Sequence, residues 1–220
     1  TAHRVAVVGL GRMGSAVCAF ARDAGWTVVA EIARLERSGQ LAGADVAVEF
    51  TTPAAAPGNI ATCLAARCPV VVGTTGWHEQ LPEVGAAVQA SGGALFWAPN
   101  FSIGACVLAM LAARARRLLP LAGFPAAIVE THHRAKRDAP SGTALAIARG
   151  LEPDVPIASL RLGQVPGTHA VLFDGAFEQL HLEHVVRDRR VFAEGAVTAA
   201  AWLIGRRGVF TMDDMLQEIA

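Results

Sequence analysis

The segment Gly9-Leu10-Gly11-Arg12-Met13-Gly14 constrains the fold of this chain more than any other segment. It follows a short β-branched run, Arg4–Val8, and leads into Met13–Ala24, where apolar residues recur with helical spacing. A GxGxxG pattern between a strand and a helix makes a tight turn, in which backbone amides at the helix N-terminus can approach a pyrophosphate. The pattern predicts a dinucleotide site; the alternative is a glycine-rich turn without a ligand.

The rest of the N-terminal part alternates between strand-like and helix-like segments. Short apolar runs separated by helical patterns predict a parallel sheet with helices on both faces. Right-handed crossovers then make the sheet doubly wound and Rossmann-like. The predicted strands are Arg4–Val8, Thr27–Ile32, Val46–Phe50, Val70–Val72 and Ala94–Trp97, and the predicted helices are Met13–Ala24, Ala54–Arg67 and His78–Ala90.

The pattern changes after Phe101. A long helix is predicted over Ile103–Leu119, and the last strand-like run, Gln179–Val185, alternates polar and apolar residues, which is typical of a sheet with one solvated face. We therefore predict a second, α+β domain with a mixed sheet over residues 102–192. The first domain comprises residues 1–101 and is completed by 193–220, whose helices are expected to pack back onto it. The other predicted elements are strands Ala126–Thr131, Ser159–Leu162 and Thr168–Phe173 and helices Thr143–Arg149, Gly195–Ile204 and Met212–Ile219.

Charge and cysteine content narrow the classes of partner. Nineteen basic residues balance 19 acidic ones, so no field of one sign exists to bind nucleic acid or an anionic membrane. No apolar stretch is long enough for a transmembrane helix. The cysteines form no CxxC pair and are expected to be buried apolar residues of a protein in a reducing compartment. A cytoplasmic protein is predicted.

Glu31 ends the second predicted strand, at about the spacing expected for the acid that binds the adenosine ribose hydroxyls. Ile32 follows it, at a position where an arginine would favour NADPH, so the pattern favours NADH. Arg34 and Arg37 lie nearby and could bind the 2′-phosphate of NADPH, so the sequence leaves NADPH open as well. Loops after two later strands end at the same sheet edge and are predicted either to line the nicotinamide or to be ordinary turns. They contain Gly73, Thr74 and Thr75 and Ala98, Pro99, Asn100 and Phe101.

Residues 130–143, ETHHRAKRDAPSGT, hold two histidines and three cations in a chain of zero net charge. Such a loop favours an anionic small substrate over the alternative, a solvated basic loop. Gly142 and Thr143 would open a helix, where amides and a hydroxyl can bind a carboxylate. His132, beside Lys136 and Arg134, is expected to hold its proton less tightly than a free imidazole. No neighbouring spacing completes a zinc site with His132 and His133, so no metal is predicted.

The string HHRAKRDAPSGTA resembles the signature of the 4-hydroxy-tetrahydrodipicolinate reductase (dihydrodipicolinate reductase) family. The resemblance extends in order along almost the whole chain, through GRMG at 11–14, FTTP at 50–53, GTTG at 73–76, NFSIG at 100–104, RLG at 161–163, GTH at 167–169, FAEGA at 192–196 and AAWL at 200–203. It implies reduction of 4-hydroxy-tetrahydrodipicolinate by NADH or NADPH in diaminopimelate and lysine biosynthesis, and a homotetramer.

The resemblance also implies residue roles. His132 would be the catalytic acid/base and Lys136 the proton donor, while the substrate carboxylates would bind His133, Gly142, Thr143 and Arg189. The nucleotide would bind Gly9, Gly11, Arg12, Met13, Gly14, Glu31, Gly73, Thr74, Thr75, Ala98, Pro99, Asn100 and Phe101. Two other classes stay open: another amino-acid dehydrogenase of the same fold, which has no need of the HHxxK…SGT loop, and a non-catalytic nucleotide sensor.

Overall fold

Six parallel strands form the sheet of the first of two structural units. The structure is a computed structural model that describes residues 2–120 and 123–219, so Thr1, Leu121, Ala122 and Ala220 of the predicted domains lie outside it. The strands are β1 Arg4–Val8, β2 Thr27–Ile32, β3 Val46–Glu49, β4 Val70–Val72, β5 Ala94–Trp97 and β10 Gly208–Phe210. Their order is β10-β5-β4-β3-β1-β2, with the switch of winding direction between β1 and β3. The predicted doubly wound fold is confirmed.

Helices cover both faces of this sheet because alternate strand residues point to opposite sides. Ala6 and Val8 pack in one cluster with Ile60 and Val88. On the other face, Phe96 packs edge-on against Trp202 at 6.0 Å. The helices of the unit are α1 Arg12–Asp23, α2 Ala56–Ala65, α3 Leu81–Ser91, α6 Arg190–Leu203 and α7 Met212–Ile219, with 3-10 turns at Ser38–Leu41 and His78–Gln80.

Two elements of this unit differ from the prediction. Helix α6 begins at Arg190 and not at Gly195, which lies inside it. An added Cβ on Gly195 would lie 1.7 Å from the Phe101 carbonyl oxygen, so this glycine allows close packing and does not mark a helix start. Strand β10, which pairs with β5, was not predicted. Residues up to Phe101 and from Arg190 onward form this first unit.

The second unit, Ser102–Arg189, has a mixed four-stranded sheet, as predicted. Strands β6 (Ala126–His132) and β7 (Ile157–Arg161) are parallel, whereas β8 (Thr168–Asp174) runs antiparallel to β6 and to β9 (Gln179–Val185). Helices α4 (Ile103–Leu118) and α5 (Gly142–Ala148) complete the unit. Its core packs helix side chains such as Leu108 and Ile147 against Ile128 and Phe173 of the sheet.

The sequence predicts that the four cysteines are buried apolar residues. Cys18, Cys63 and Cys68 are buried, Cys106 is half-buried, and none of the four is in a disulfide. Burial raises the pKa of Cys63 and raises that of Cys68 to about 11, so both stay protonated at neutral pH.

Within residues 2–120 and 123–219, no helix has the length and apolar character needed to cross a membrane.

Candidate active site

The glycines of the first turn are needed for different reasons. Gly9 has a φ of +90°, and an added Cβ there would lie 2.2 Å from the Phe50 carbonyl oxygen. An added Cβ on Gly14 would lie 1.8 Å from the Gly9 oxygen. At Gly11, the N-cap of α1, no heavy atom lies within 4 Å of an added Cβ. The turn is thus tightly packed at Gly9 and Gly14 and open at Gly11. Arg12 and Met13 begin the helix directly after this open position, an arrangement that fits a pyrophosphate bound at a helix N-terminus.

The loop after β4 lies at the same sheet edge as the first turn. An added Cβ on Gly73 would lie 2.0 Å from the Phe50 ring, so the glycine lets this ring pack there. Thr74 is buried, and its hydroxyl accepts a hydrogen bond from the Thr51 amide at 2.8 Å. Thr75 is exposed. Of the two predicted threonines, therefore, only Thr75 directs its side chain outward.

The loop after β5 also contains both buried and exposed residues. Ala98 and Phe101 are buried, whereas Pro99 is exposed and Asn100 is half-buried. The Phe101 ring packs against Phe50 at 5.9 Å. The side chains of Ala98 and Phe101 therefore pack under the loop, and only Pro99 of its four residues is exposed.

Glu31 lies on β2 with 44% of its side chain exposed, and its carboxylate forms an ion pair with Arg22 of α1. Sequence reasoning did not identify Arg22 as a neighbour of this acid. The pairing places a cation beside the predicted ribose-binding carboxylate and partly neutralises it.

His132 is the last residue of β6 and is 8% exposed, and Lys136 lies in the loop that follows. Burial lowers the pKa of His132 below its ordinary value; the Glu130 carboxylate opposes this shift, and the charges of Lys136 and Arg161 add to it. The direction agrees with the prediction, but burial is the larger cause, and Arg161, not Arg134, is the second cation. The Lys136 Nζ lies 2.8 and 2.9 Å from the two carboxylate oxygens of Asp138.

Glu130 is a buried acid to which the sequence patterns assigned no role. Its Oε1 accepts hydrogen bonds from the Ser141 amide at 3.0 Å, the Ser159 hydroxyl at 2.7 Å and Arg161 Nη2 at 3.2 Å. Burial alone would raise its pKa, but these three donors hold the pKa below its ordinary value, so the carboxylate is ionised. The signal in the sequence was an acid two residues before His132 on one strand, which puts both side chains on the same face.

A second histidine joins this cluster from β8. His169 Nε2 lies 3.2 Å from Ser141 Oγ and 3.6 Å from Glu130 Oε2, and the rings of His132 and His169 are 5.1 Å apart. Burial lowers the pKa of His169 to about 4, so this ring is neutral at pH 7. His169 is paired with Glu130 across the sheet, a register that local sequence spacing does not reveal.

Ligand atoms of Glu130, His132 and His169 lie within 4.8 Å of one another, a spacing that could hold a metal ion. The Arg161 guanidinium already shares the carboxylate, and its charge disfavours a divalent cation at this position. We interpret the group as an acid–base cluster.

The remaining predicted substrate residues lie around the same loop or at the end of the unit. His133 is half-buried directly after β6, and Thr143 is half-buried in α5. No heavy atom lies within 4 Å of a Cβ added to Gly142, so the space beside it is open. Arg189 is exposed at the end of the second unit.

Comparisons with known proteins agree with this picture. The family model described as dihydrodipicolinate reductase, N-terminus, matches residues 3–101, and the model for the C-terminus of that enzyme matches residues 104–216. The 4-hydroxy-tetrahydrodipicolinate reductases of Christiangramia forsetii and Acidiphilium cryptum are 32% and 38% identical to this chain, over 98% and 97% of both partners respectively. A dipicolinate-bound dihydrodipicolinate reductase from Paenisporosarcina sp. TG-14 has the same fold, with a TM-score of 0.78 at 24% identity over 96% of this chain and 98% of that one.

The fold, the glycine turn and these relatives together define an NAD(P)H-dependent oxidoreductase. The chain belongs to the dihydrodipicolinate reductase family, and the resemblance inferred from the HHRAKRDAPSGTA string is confirmed.

Proposed function

We propose that this protein reduces 4-hydroxy-tetrahydrodipicolinate to tetrahydrodipicolinate with NAD(P)H, in the diaminopimelate and lysine pathway. The main supporting observation is the complete HHxxK…SGT loop, with His132 buried against Glu130 and Lys136 following in the same loop. The names of the curated relatives agree with this reaction. Neither another dehydrogenase nor a sensor accounts for such a loop.

The cofactor supplies a hydride when it is bound. The open turn at Gly11 and the first amides of α1 would hold its pyrophosphate, Glu31 the adenosine ribose, and the loops at Gly73–Thr75 and Ala98–Phe101 would line the nicotinamide. Because Thr74, Ala98 and Phe101 are buried, they would act through backbone atoms or by supporting the loops.

The substrate hydroxyl leaves as water, so the reaction consumes one proton together with the hydride. Lys136 would donate that proton, and His132 would act as the acid/base group at the reacting ring. His133, Thr143 and the amide of Gly142 would bind the two carboxylates, with Arg189 as a further cation. The open space beside Gly142 supports a ligand at that position.

The cofactor preference is proposed to be NADH. Glu31 repels a 2′-phosphate, and Ile32 provides no cation after it. The ion pair of Glu31 with Arg22 weakens that repulsion, so we expect a preference in kcat/KM for NADH of less than about tenfold, or 1.4 kcal/mol.

We also propose a homotetramer in the cytoplasm. Exposed apolar side chains of the second unit, Leu160, Leu162, Phe177 and Val185, support burial in an interface between subunits. The absence of disulfides among the four cysteines agrees with a reducing compartment. Light scattering tests the assembly state.

A coupled assay tests the proposed reaction. The absorbance of NADH or NADPH is followed with freshly generated 4-hydroxy-tetrahydrodipicolinate, using wild type and Lys136→Ala. Substrate-dependent oxidation that Lys136→Ala lowers by about a hundredfold or more is the expected result, and the rates with NADH and NADPH give the cofactor preference. A folded protein that binds NADH but oxidises neither cofactor would contradict the proposal.

A further inference from the structure

Glu130 is fully buried and ionised, yet the proposed reaction gives it no role. Resting on the proposed function, we infer that Glu130 is a positioning residue for His132: its Oε2 accepts a hydrogen bond from the Nδ1–H of that ring, so that Nε2 is the atom that exchanges a proton with the substrate.

The two oxygens of this carboxylate have different surroundings. All three hydrogen bonds from Ser141, Ser159 and Arg161 go to Oε1. Oε2 is buried and receives no hydrogen bond from the described residues. Since a buried anionic oxygen without a donor is costly, Oε2 needs a hydrogen bond from one of its two neighbours, His132 and His169.

His132 is the closer of these neighbours. Its Nδ1 lies 3.4 Å from Oε2, whereas His169 Nε2 lies 3.6 Å away and is nearer to Ser141 Oγ, at 3.2 Å. A lone pair on Nδ1 would be repelled by the carboxylate, so the neutral ring carries its proton there. The pair is close but not aligned as a hydrogen bond, and Nδ1, like Oε2, has no other hydrogen-bond partner among the described residues; catalytic hydrogen bonds are often poorly aligned before substrate binds.

The same tautomer frees the other ring nitrogen. His132 Nε2 faces Gly167, where an added Cβ would lie 3.2 Å away, so the lack of a side chain at this position leaves space beside Nε2. When His132 is protonated, its Nδ1 keeps the proton that it donates to the Glu130 carboxylate, and the Nε2 proton is the mobile one. The relation is that of a carboxylate that orients a catalytic imidazole.

Every charged or titratable group around the ring affects this pairing. Lys136 and Asp138 approach His132 from the loop, Arg161 from β7 and His169 from β8, while His184 of β9 acts on His169. Glu130 is the buried anion among them. Removing its charge should therefore lower the pKa of His132 further and leave its tautomer undetermined.

Nitrogen-15 NMR of the histidine rings, recorded on ligand-free protein, tests the inference directly. We expect His132 in wild type to carry its proton on Nδ1, and Glu130→Gln to show mixed tautomers with a lower His132 pKa. A neutral His132 protonated on Nε2 in wild type would overturn the inference, as would an unchanged tautomer and pKa in the variant. Stoichiometric zinc that Glu130→Gln releases would instead establish a metal site.

Kinetics then separate positioning from a general structural role. Glu130→Gln should lower kcat by about tenfold to a hundredfold with KM changed less than about threefold, and shift the acid limb of the pH profile to lower pH. Ser159→Ala is the matched control: it removes one donor to Oε1 and leaves Oε2 beside His132, so kcat should stay within about threefold. Equal losses in both variants without a pH shift would contradict the inference. If wild type does not turn over the substrate, the proposed function fails, but the NMR result still decides the role of Glu130.

Discussion

Gly167 leaves room for His132. A Cβ added to Gly167 would lie 3.2 Å from His132 Nε2 and 3.4 Å from Cδ2, so even a methyl group would press on the ring. This glycine was part of the GTH string that supported the family resemblance, and the structure gives it a physical reason.

Gly167→Ala should therefore displace His132 or narrow its access to substrate. We expect kcat to fall at least about tenfold, while the Kd of NADH, which the first unit is proposed to bind, changes less than about twofold. Gly163→Asn is a suitable control in the same loop, because an added Cβ there meets no atom within 4 Å and asparagine tolerates its φ of +50°. Wild-type kcat in Gly167→Ala would mean that the ring moves aside without cost.

The two adjacent histidines should differ in kinetic effect. His132→Asn removes the proposed acid/base and should lower kcat by about a hundredfold or more. His133→Asn should mainly raise KM, since it removes a proposed substrate contact. Steady-state kinetics for both variants provide the test. If His132→Asn kept kcat within about threefold of wild type, the acid/base assignment would be wrong.

Asp138 should act mainly through Lys136, because its direct influence on the His132 pKa is the smallest of those around the ring. The pair is bidentate, but 60% of the Asp138 side chain is exposed, so Asp138→Asn should change the free energy of unfolding by less than about 1 kcal/mol. We expect its kcat to fall severalfold because Lys136 loses its anchor. In a Lys136→Met background the same substitution should have no further effect on kcat. Additive losses in this double-mutant cycle would show a separate role for Asp138.

Two glycines of the first turn separate binding from folding. Gly11→Ala places a methyl in open space, so Tm should be retained while the Kd of NADH rises at least about tenfold through a clash with the pyrophosphate. Gly14→Ala places a Cβ 1.8 Å from the Gly9 oxygen and should destabilise the first unit by about 2 kcal/mol or more. Calorimetry and thermal unfolding measure both. Unchanged NADH binding in Gly11→Ala would place the pyrophosphate elsewhere.

Acid should destabilise the second unit through His169. The pKa of this ring is lowered to about 4, whereas an unfolded histidine titrates near 6.5. Between these values the unfolded state binds more protons, so the free energy of unfolding falls as pH drops from about 6.5 to about 4.

Urea denaturation near pH 7 and near pH 5 measures this loss. Wild type should lose about 2 kcal/mol more than His169→Gln between the two conditions. His181→Gln, at an exposed position on β9, is the control and should behave like wild type. Identical pH dependence in wild type and His169→Gln would show that His169 does not cause the loss.

Much of the fold could be predicted because its strands are buried and its helices strongly periodic. Val70–Val72 and Ala94–Trp97 form strands with the predicted bounds, and both are continuous apolar runs. Gly208–Phe210 was missed because a three-residue strand preceded by glycine carries no periodic signal. The start of α6 was misplaced because the demand for glycine at position 195 comes from Phe101, far away in the sequence.

The candidate site could be predicted only where its residues share one segment. His132, His133 and Lys136 lie within the single segment 130–143, so a local sequence motif could reveal them. Glu130, Arg161 and His169 converge from β6, β7 and β8 through pairing registers that no local pattern encodes. The side-chain burial of Thr74 likewise depends on the amide of Thr51, which lies on another loop.

The sheet of the first unit contains β5 and β10 as neighbours, although the whole second unit lies between them in the sequence. On a ribosome the chain emerges from its N-terminus, so residues 102–189 can fold while the first unit still lacks α6 and β10. The apolar face that α6 covers must then stay exposed, and the β5 edge unpaired, until the later residues emerge. Nascent chains that pause at this stage should depend on chaperones more than the finished protein does.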